Sequence, residues 1–105
     1  MPDIIHRMTL KAPQKRYLRT QAHHLKAFMH SGNKGITDAF VAELDQVLDQ
    51  HELVKVKLSA GDRAERSALI EQLAKASGAD IVQTIGHTVT LFRRNRAEPK
   101  IALPA

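Results

Sequence analysis

Two glycines three residues apart, Gly32 and Gly35, bracket Asn33 and Lys34 in the first half of the chain. Glycine has no Cβ, so a backbone with two glycines can bend sharply and approach a ligand closely. A helix predicted from about Thr37 directs its free N–H groups and the positive end of its dipole at this loop, and Lys34 adds a positive charge. Loops of this G-x-x-G kind hold about four nucleotides in some RNA-binding domains. The same residues can also form only a turn in which glycine supplies a positive φ, so the motif alone leaves both interpretations open.

The other reactive residues form no catalytic or metal-binding pattern. The chain has no cysteine, which excludes disulfides, thiolate metal ligands and cysteine nucleophiles. Its six histidines include no H-x-x-x-H pair with a carboxylate at ligand spacing. Asp45 and Asp49, four residues apart on a predicted helix, could act as acid and base, but a solvated acidic face is the better interpretation. The 32–35 loop also lacks the P-loop pattern G-x-x-x-x-G-K-[ST]. We therefore predict a protein that is not an enzyme and needs neither a metal nor a cofactor.

Charge is distributed unevenly along the chain, whose formal net charge is +5. Residues 1–36 carry a net +6, and residues 37–53 carry −5. The segments 54–78 and 79–105 each carry +2. A strongly basic end of this kind suits a polyanionic partner such as RNA.

The length of 105 residues predicts one domain with a single compact core. No apolar run approaches the roughly 18 residues of a membrane span, and the N-terminus shows no signal-peptide core. We expect a cytoplasmic monomer without a membrane partner. Residues 1–8 are expected to be a flexible N-terminus, and residues 9–104 the folded domain.

The periodicity of apolar residues predicts the element order α-β-α-β-α-β-β. Only the two-residue turn at 86–87 joins neighbouring strands as a hairpin, so the other connections cross over through helices. The fold class is therefore α/β, with a four-stranded mixed sheet, three packed helices and a single compact domain. The predicted helices are 13–23, 37–50 and 62–77, and the predicted strands are 25–29, 53–58, 81–85 and 89–92.

Basic side chains lie on one face of the first predicted helix and one face of the second predicted strand. Lys15, Arg19 and the neighbouring Arg16 form a stripe at helical spacing. In strand 53–58, Lys55 and Lys57 alternate with apolar residues, which predicts one buried face and one wet, basic face. Aromatic residues are scarce, so a base-stacking platform like that of an RRM is not expected, and RNA would be held mostly through its backbone and shape.

Three runs in the same order resemble the signature of the CRM domain, the chloroplast RNA splicing and ribosome maturation module. They are residues 24–37 (HLKAFMHSGNKGIT), 51–57 (HELVKVK) and 85–93 (IGHTVTLFR). Together with the closing residues 100–104, the chain is similar to the stand-alone bacterial YhbY family over nearly all of residues 9–104. The resemblance implies a fold related to the C-terminal domain of bacterial translation initiation factor three. It also implies RNA binding and association with precursors of the large ribosomal subunit.

The sequence therefore predicts an RNA-binding protein of ribosome assembly that clamps the RNA backbone. One alternative is a protein-interaction module of the ribosome or its assembly intermediates that acts through the acidic helix 37–50. Another is an enzyme that uses the glycine loop for a nucleotide. The predicted RNA-binding residues are Lys15, Arg16, Arg19, Lys26, Gly32, Asn33, Lys34 and Gly35.

Overall fold

The computed structural model describes residues 10–25, 28–31, 35–59 and 61–104, and its elements follow the predicted order. The helices are α1 (Ala12–Ala22), α2 (Asp38–His51) and α3 (Arg63–Ser77). The strands are β1 (Phe28–His30), β2 (Leu53–Lys57), β3 (Asp80–Ile85) and β4 (Thr88–Phe92).

The four strands form one mixed sheet in the order β1-β2-β4-β3. β1 runs parallel to β2, whereas β4 runs antiparallel to both β2 and β3. The hairpin prediction is confirmed, because Ile85 pairs with Thr88 and leaves two residues in the turn. Gly86, the first of the two, has a φ of +57°, which glycine adopts without strain.

Local capping signals set the ends of α2 and α3. The Thr37 hydroxyl accepts a hydrogen bond from the Phe40 N–H (3.1 Å) at the start of α2. At the start of α3, the Asp62 carboxylate accepts from the Glu65 N–H (2.8 Å), and the Glu65 carboxylate accepts from the Asp62 N–H (3.3 Å). Gly78 ends α3 in the left-handed conformation with a φ of +70°. These signals are local in sequence, and the helix ends that they set lie within one residue of the predicted ones.

Each face of the sheet has its own apolar cluster. Because alternate residues of a strand point to opposite faces, β2 contributes Val54 and Val56 to one cluster and Leu53 to the other. The first cluster lies under α2 and α3 and holds Met29, Leu44, Leu48, Val54, Val56, Leu58, Ile70, Leu73, Ala79, Val89 and Leu91. The second lies under α1 and the C-terminal segment and holds Leu10, Leu18, Ala22, Leu53, Val82 and Phe92, with Leu25, Ile101 and Leu103 packed against it.

β1 begins later than the predicted strand 25–29. Leu25 donates its backbone N–H to the Ala22 carbonyl (3.1 Å) and packs in the cluster under α1, so it belongs to the turn that follows that helix. The strand prediction was wrong for Leu25, because an apolar side chain in a short run fits a helix end as well as a strand.

The C-terminal segment, residues 93–104, forms neither helix nor strand, and it contains Pro99 and Pro104. A buried carboxylate holds it against the sheet. Glu52 is 0% exposed, and it accepts hydrogen bonds from the backbone N–H groups of Asn95 (2.7 Å), Lys100 (2.8 Å) and Ile101 (2.7 Å). The Arg94 guanidinium lies 3.3 Å from the same carboxylate and compensates its charge.

Candidate nucleic-acid interface

The glycine loop leaves the sheet at a point that hydrogen bonds hold in place. Ser31, directly after β1, is buried, and its N–H donates to the Lys57 carbonyl (2.9 Å). The Ser59 N–H donates to the Ser31 hydroxyl oxygen (3.0 Å), and the Ser59 hydroxyl donates to the Ser31 carbonyl (2.8 Å). The Leu58 N–H donates to the carbonyl of His87 in the hairpin turn (2.8 Å). The ends of β1, β2 and the β3–β4 hairpin thus meet at one end of the sheet, where the loop begins.

On its other side the loop is anchored by α2. Gly35 has a φ of +75°, and a Cβ added there would meet no atom within 4 Å. The positive φ alone accounts for a glycine here, and the open space is also what a ligand that approaches the backbone needs. Ile36 packs against the larger core cluster, and Thr37 then caps the helix. Asp38 is exposed in the first turn of α2, so its carboxylate offsets part of the helix dipole for an approaching anion.

Four of the eight predicted RNA-binding residues lie outside the described part of the chain. They are Lys26, Gly32, Asn33 and Lys34. The structure therefore describes the anchors on both sides of the loop, and the clamp itself stays a prediction.

The predicted basic stripe lies on α1. Leu18 and Ala22 bury the inner side of this helix, whereas Arg16 is exposed and Lys15 and Arg19 are half-buried. No carboxylate among the described residues forms an ion pair with any of these three bases, so their charges are free to act on a ligand. α1 packs over β2 and β3, whereas the loop follows β1 at the opposite edge of the sheet. A single RNA surface that joins the two stays a prediction.

The acidic residues of α2 have a structural role that the sequence did not reveal. The Arg93 guanidinium donates to the carboxylates of Asp45 (2.8 Å) and Asp49 (3.1 Å) and to the Ser77 carbonyl (2.7 Å). These bonds join α2, α3 and the end of β4. Asp45 and Asp49 are therefore ion-paired with one arginine, which argues against an acid–base pair, while both carboxylates stay exposed to solvent as expected. Arg93 and Arg94 are both engaged with carboxylates of their own chain.

The basic face predicted for β2 is confirmed. Lys57 is exposed and Lys55 is half-buried, and both lie on the sheet face opposite Val54 and Val56. The same face displays Phe28, an exposed aromatic residue that no sequence pattern had singled out. Its exposure depends on which part of the sheet α1 leaves uncovered, and a strand of three residues carries too little periodicity to show that.

No helix among the described residues is long and apolar enough to span a membrane. Within the described ranges, no group of three or more histidine, aspartate or glutamate side chains is arranged to hold a metal ion.

Comparison with known proteins gives consistent matches over most of the chain. The family model described as the CRS1 / YhbY (CRM) domain matches residues 10–93. A protein of Haemophilus influenzae named "RNA-binding protein" is 40% identical over 96 residues, which cover 91% of this chain and 96% of that protein. The "Probable RNA-binding protein YqeI" of Bacillus subtilis is 34% identical over 95 residues, with 90% and 99% of the two chains covered. The solution structure of the hypothetical protein SAV1595 from Staphylococcus aureus superimposes with a TM-score of 0.77 at 31% identity, over 91% of this chain and 100% of that chain.

Proposed function

The chain belongs to the CRS1/YhbY (CRM) domain family, and on that basis we propose that it is a cytoplasmic RNA-binding protein that associates with ribosomal RNA or large-subunit precursors during ribosome assembly. The proposed activity is binding rather than catalysis. The observation that carries the proposal is the family match over residues 10–93, which includes the loop and both of its anchors.

The proposed mechanism is a clamp on the RNA backbone by residues 32–35. The flanking residues support it, because Ser31 is held by hydrogen bonds on one side of the loop and Thr37 caps the start of α2 on the other. In this proposal, loop N–H groups and the Lys34 ammonium donate to phosphate oxygens. Because Asp38 offsets part of the helix dipole, Lys34 is expected to supply most of the positive charge.

The bases on α1 extend the proposed surface. No described carboxylate pairs with Lys15, Arg16 or Arg19, so these side chains can bind phosphates without first breaking an ion pair. Contacts of this kind add affinity without sequence preference, which suits a protein that recognises a structured RNA.

Replacement of Asn33 and Lys34 by aspartate tests the clamp, because both glycines stay and two negative charges stand where a phosphate would lie. We expect unchanged thermal stability and RNA affinity lower by about tenfold or more, since one hydrogen bond to a charged group contributes about 1.5–3 kcal/mol. The matched control is Arg63→Glu with Gln72→Glu on α3, which changes the net charge equally at two exposed positions. Intact folding together with intact RNA binding in the loop variant would end the clamp hypothesis.

Two further measurements separate the proposed function from its alternatives. Filter binding of RNA against ATP distinguishes an RNA-binding protein from an enzyme that uses the loop for a nucleotide. Crosslinking in cells followed by sequencing of the attached RNA should recover large-subunit ribosomal RNA. Recovery of ribosomal proteins without RNA would instead support the protein-interaction module, although Asp45 and Asp49 of the acidic helix are already paired with Arg93.

A further inference from the structure

Part of one sheet face is left uncovered by the helices and the C-terminal segment that the structure describes, and strand register shows which side chains lie there. Strand partners share a face. β1 pairs Phe28 with Lys55, β4 places Thr90 beside Lys55, and β3 places Gln83 beside Thr90. The next row toward the loop end of the sheet is His30, Lys57, Thr88 and Ile85. We call these two rows the open face, because α1 and the C-terminal segment cover the rows beyond them.

The open face has a cleft and unusual apolar exposure. The cleft has a volume of about 230 Å³, and α1 forms one wall of it with Ala22 and His23. Phe28 is 46% exposed and Ile85 is 63% exposed, and both line the cleft. They are the two large apolar residues left exposed in the described part of the chain. Paired exposure of this kind in one concave place indicates a binding site rather than scattered surface residues.

The charge of the cleft favours an anionic partner. Its lining includes Lys55 and His23 but no carboxylate among the described residues. Lys57 is exposed in the adjacent row, and no described residue forms an ion pair with either lysine. The lining also offers two partly exposed polar side chains that can hydrogen-bond a base edge, those of Gln83 and Thr88.

The Phe28 ring packs against the ring of His30 and stays accessible for stacking. Its centroid lies 4.9 Å from that of His30 in a T-shaped contact, with the ring planes at 86°. The contact limits rotation of the ring and leaves nearly half of the residue exposed. The cleft is smaller than the roughly 300–1,000 Å³ typical of drug-sized ligands, so it suits one planar ring rather than several.

We propose that this cleft binds one unpaired base of a single-stranded RNA segment, which stacks on Phe28 while Lys55 and Lys57 neutralise the flanking phosphates. The inference rests on the proposed RNA-binding function and adds to it a site for a base, distinct from the loop that holds the backbone. One aromatic ring makes it a single-base site, unlike an RRM sheet, on which two or three bases stack. An RNA held at both sites would be recognised by an unpaired nucleotide as well as by its backbone.

The test is a thermodynamic cycle that combines a protein variant with a modified RNA. Binding of a short single-stranded oligoribonucleotide is compared with binding of the same oligonucleotide with abasic positions, for wild type and Phe28→Ala. We expect either change alone to weaken binding by about 5- to 150-fold, which corresponds to about 1–3 kcal/mol for one stacked base. The two changes together should weaken binding no more than either change alone, since both remove the same stacking interaction.

Two matched variants separate stacking from loss of apolar area. Phe28→Tyr keeps an aromatic face and should bind like wild type, whereas Phe28→Leu keeps apolar bulk and should bind like Phe28→Ala. Thermal melting on the same preparations establishes that each variant is folded. The fluorescence of a 2-aminopurine in the oligonucleotide should change on binding to wild type, because its stacking partners change, and should change less on binding to Phe28→Leu.

Each other outcome has a distinct meaning. Suppose that Phe28→Ala binds the RNA as well as wild type does, and that abasic positions weaken its binding as much as they weaken that of wild type. The base site is then refuted and the proposed function stands. If wild type fails to bind any RNA, the proposed function itself fails. A dimer in sedimentation that Phe28→Ala dissociates would overturn the inference, because the open face would then be an interface between two copies.

Discussion

Glu52→Ala should destabilise the fold more than any surface substitution, because Glu52 holds the C-terminal segment from a fully buried position. Its carboxylate accepts three backbone N–H groups at 2.7–2.8 Å and lies 3.3 Å from the Arg94 guanidinium. Each buried donor left without an acceptor costs about 1–3 kcal/mol. The segment can detach and expose these donors to water, so the three costs do not simply add.

The expected loss is about 3–5 kcal/mol, the usual cost when one partner of a buried ion pair is removed. This is a large part of the roughly 5–15 kcal/mol that stabilises a domain. Alanine is the appropriate replacement because Glu52 has a φ of +63°. Both residues carry a Cβ and share that backbone strain, so their difference reports on the side chain beyond Cβ and not on the backbone. Glu52→Gln keeps the volume and one acceptor oxygen, and it should lose less, about 1.5–3 kcal/mol.

The assay is urea unfolding together with amide hydrogen exchange at Asn95, Lys100 and Ile101, whose N–H groups should lose protection first in the variant. The matched control is Glu98→Ala, which removes an exposed carboxylate 3.7 Å from the Lys100 ammonium and should change stability by at most about 0.5 kcal/mol. A Glu52→Ala protein within about 1 kcal/mol of wild type, with these three amides still protected, would refute the role assigned to the carboxylate.

Two further predictions concern the basic helix and the core. Charge reversal at Lys15 and Arg19 should flatten the dependence of log RNA affinity on log salt, by about 0.7 for each phosphate of a single strand that the variant no longer neutralises. The control reverses the same number of charges at Arg63 and Lys75, which are exposed on α3 at the opposite sheet face, and should flatten the salt dependence less. Equal slopes for the two variants would place the contact surface elsewhere. Leu73→Ala should cost about 2–5 kcal/mol in urea unfolding, because Leu73 is fully buried between α3 and the sheet, and a loss within about 0.5 kcal/mol would contradict that packing.

The candidate site was predicted from sequence only where neighbours along the chain determine it. Gly35 and Thr37 act within a few residues of themselves, and the structure places both as the motif and the capping signal indicated. The stripe of Lys15 and Arg19 follows from helical spacing alone. The role of Arg93 could not be predicted, since its partners Asp45 and Asp49 lie 48 and 44 residues away.

A base site was not expected from the sequence, because it too depends on contacts between residues that are distant along the chain. A count of four aromatic residues argued against a stacking platform, and that count does not show where an aromatic ring lies. Phe28 is exposed because α1 covers only part of its sheet face, which depends on the packing of a helix against strands far along the chain.

Sequence alone determined the order of the helices and strands, the hairpin at Gly86 and the alternation of β2, because periodicity, caps and turns act over a few residues. It also carried the motifs that identify the family. Tertiary structure decided that Glu52 is buried as the anchor of the C-terminal segment and that Arg93 joins two helices. It also left the face around Phe28 and Lys55 open. These features arise when distant segments meet, and the free energy of such contacts depends on burial and geometry that no short stretch of sequence contains.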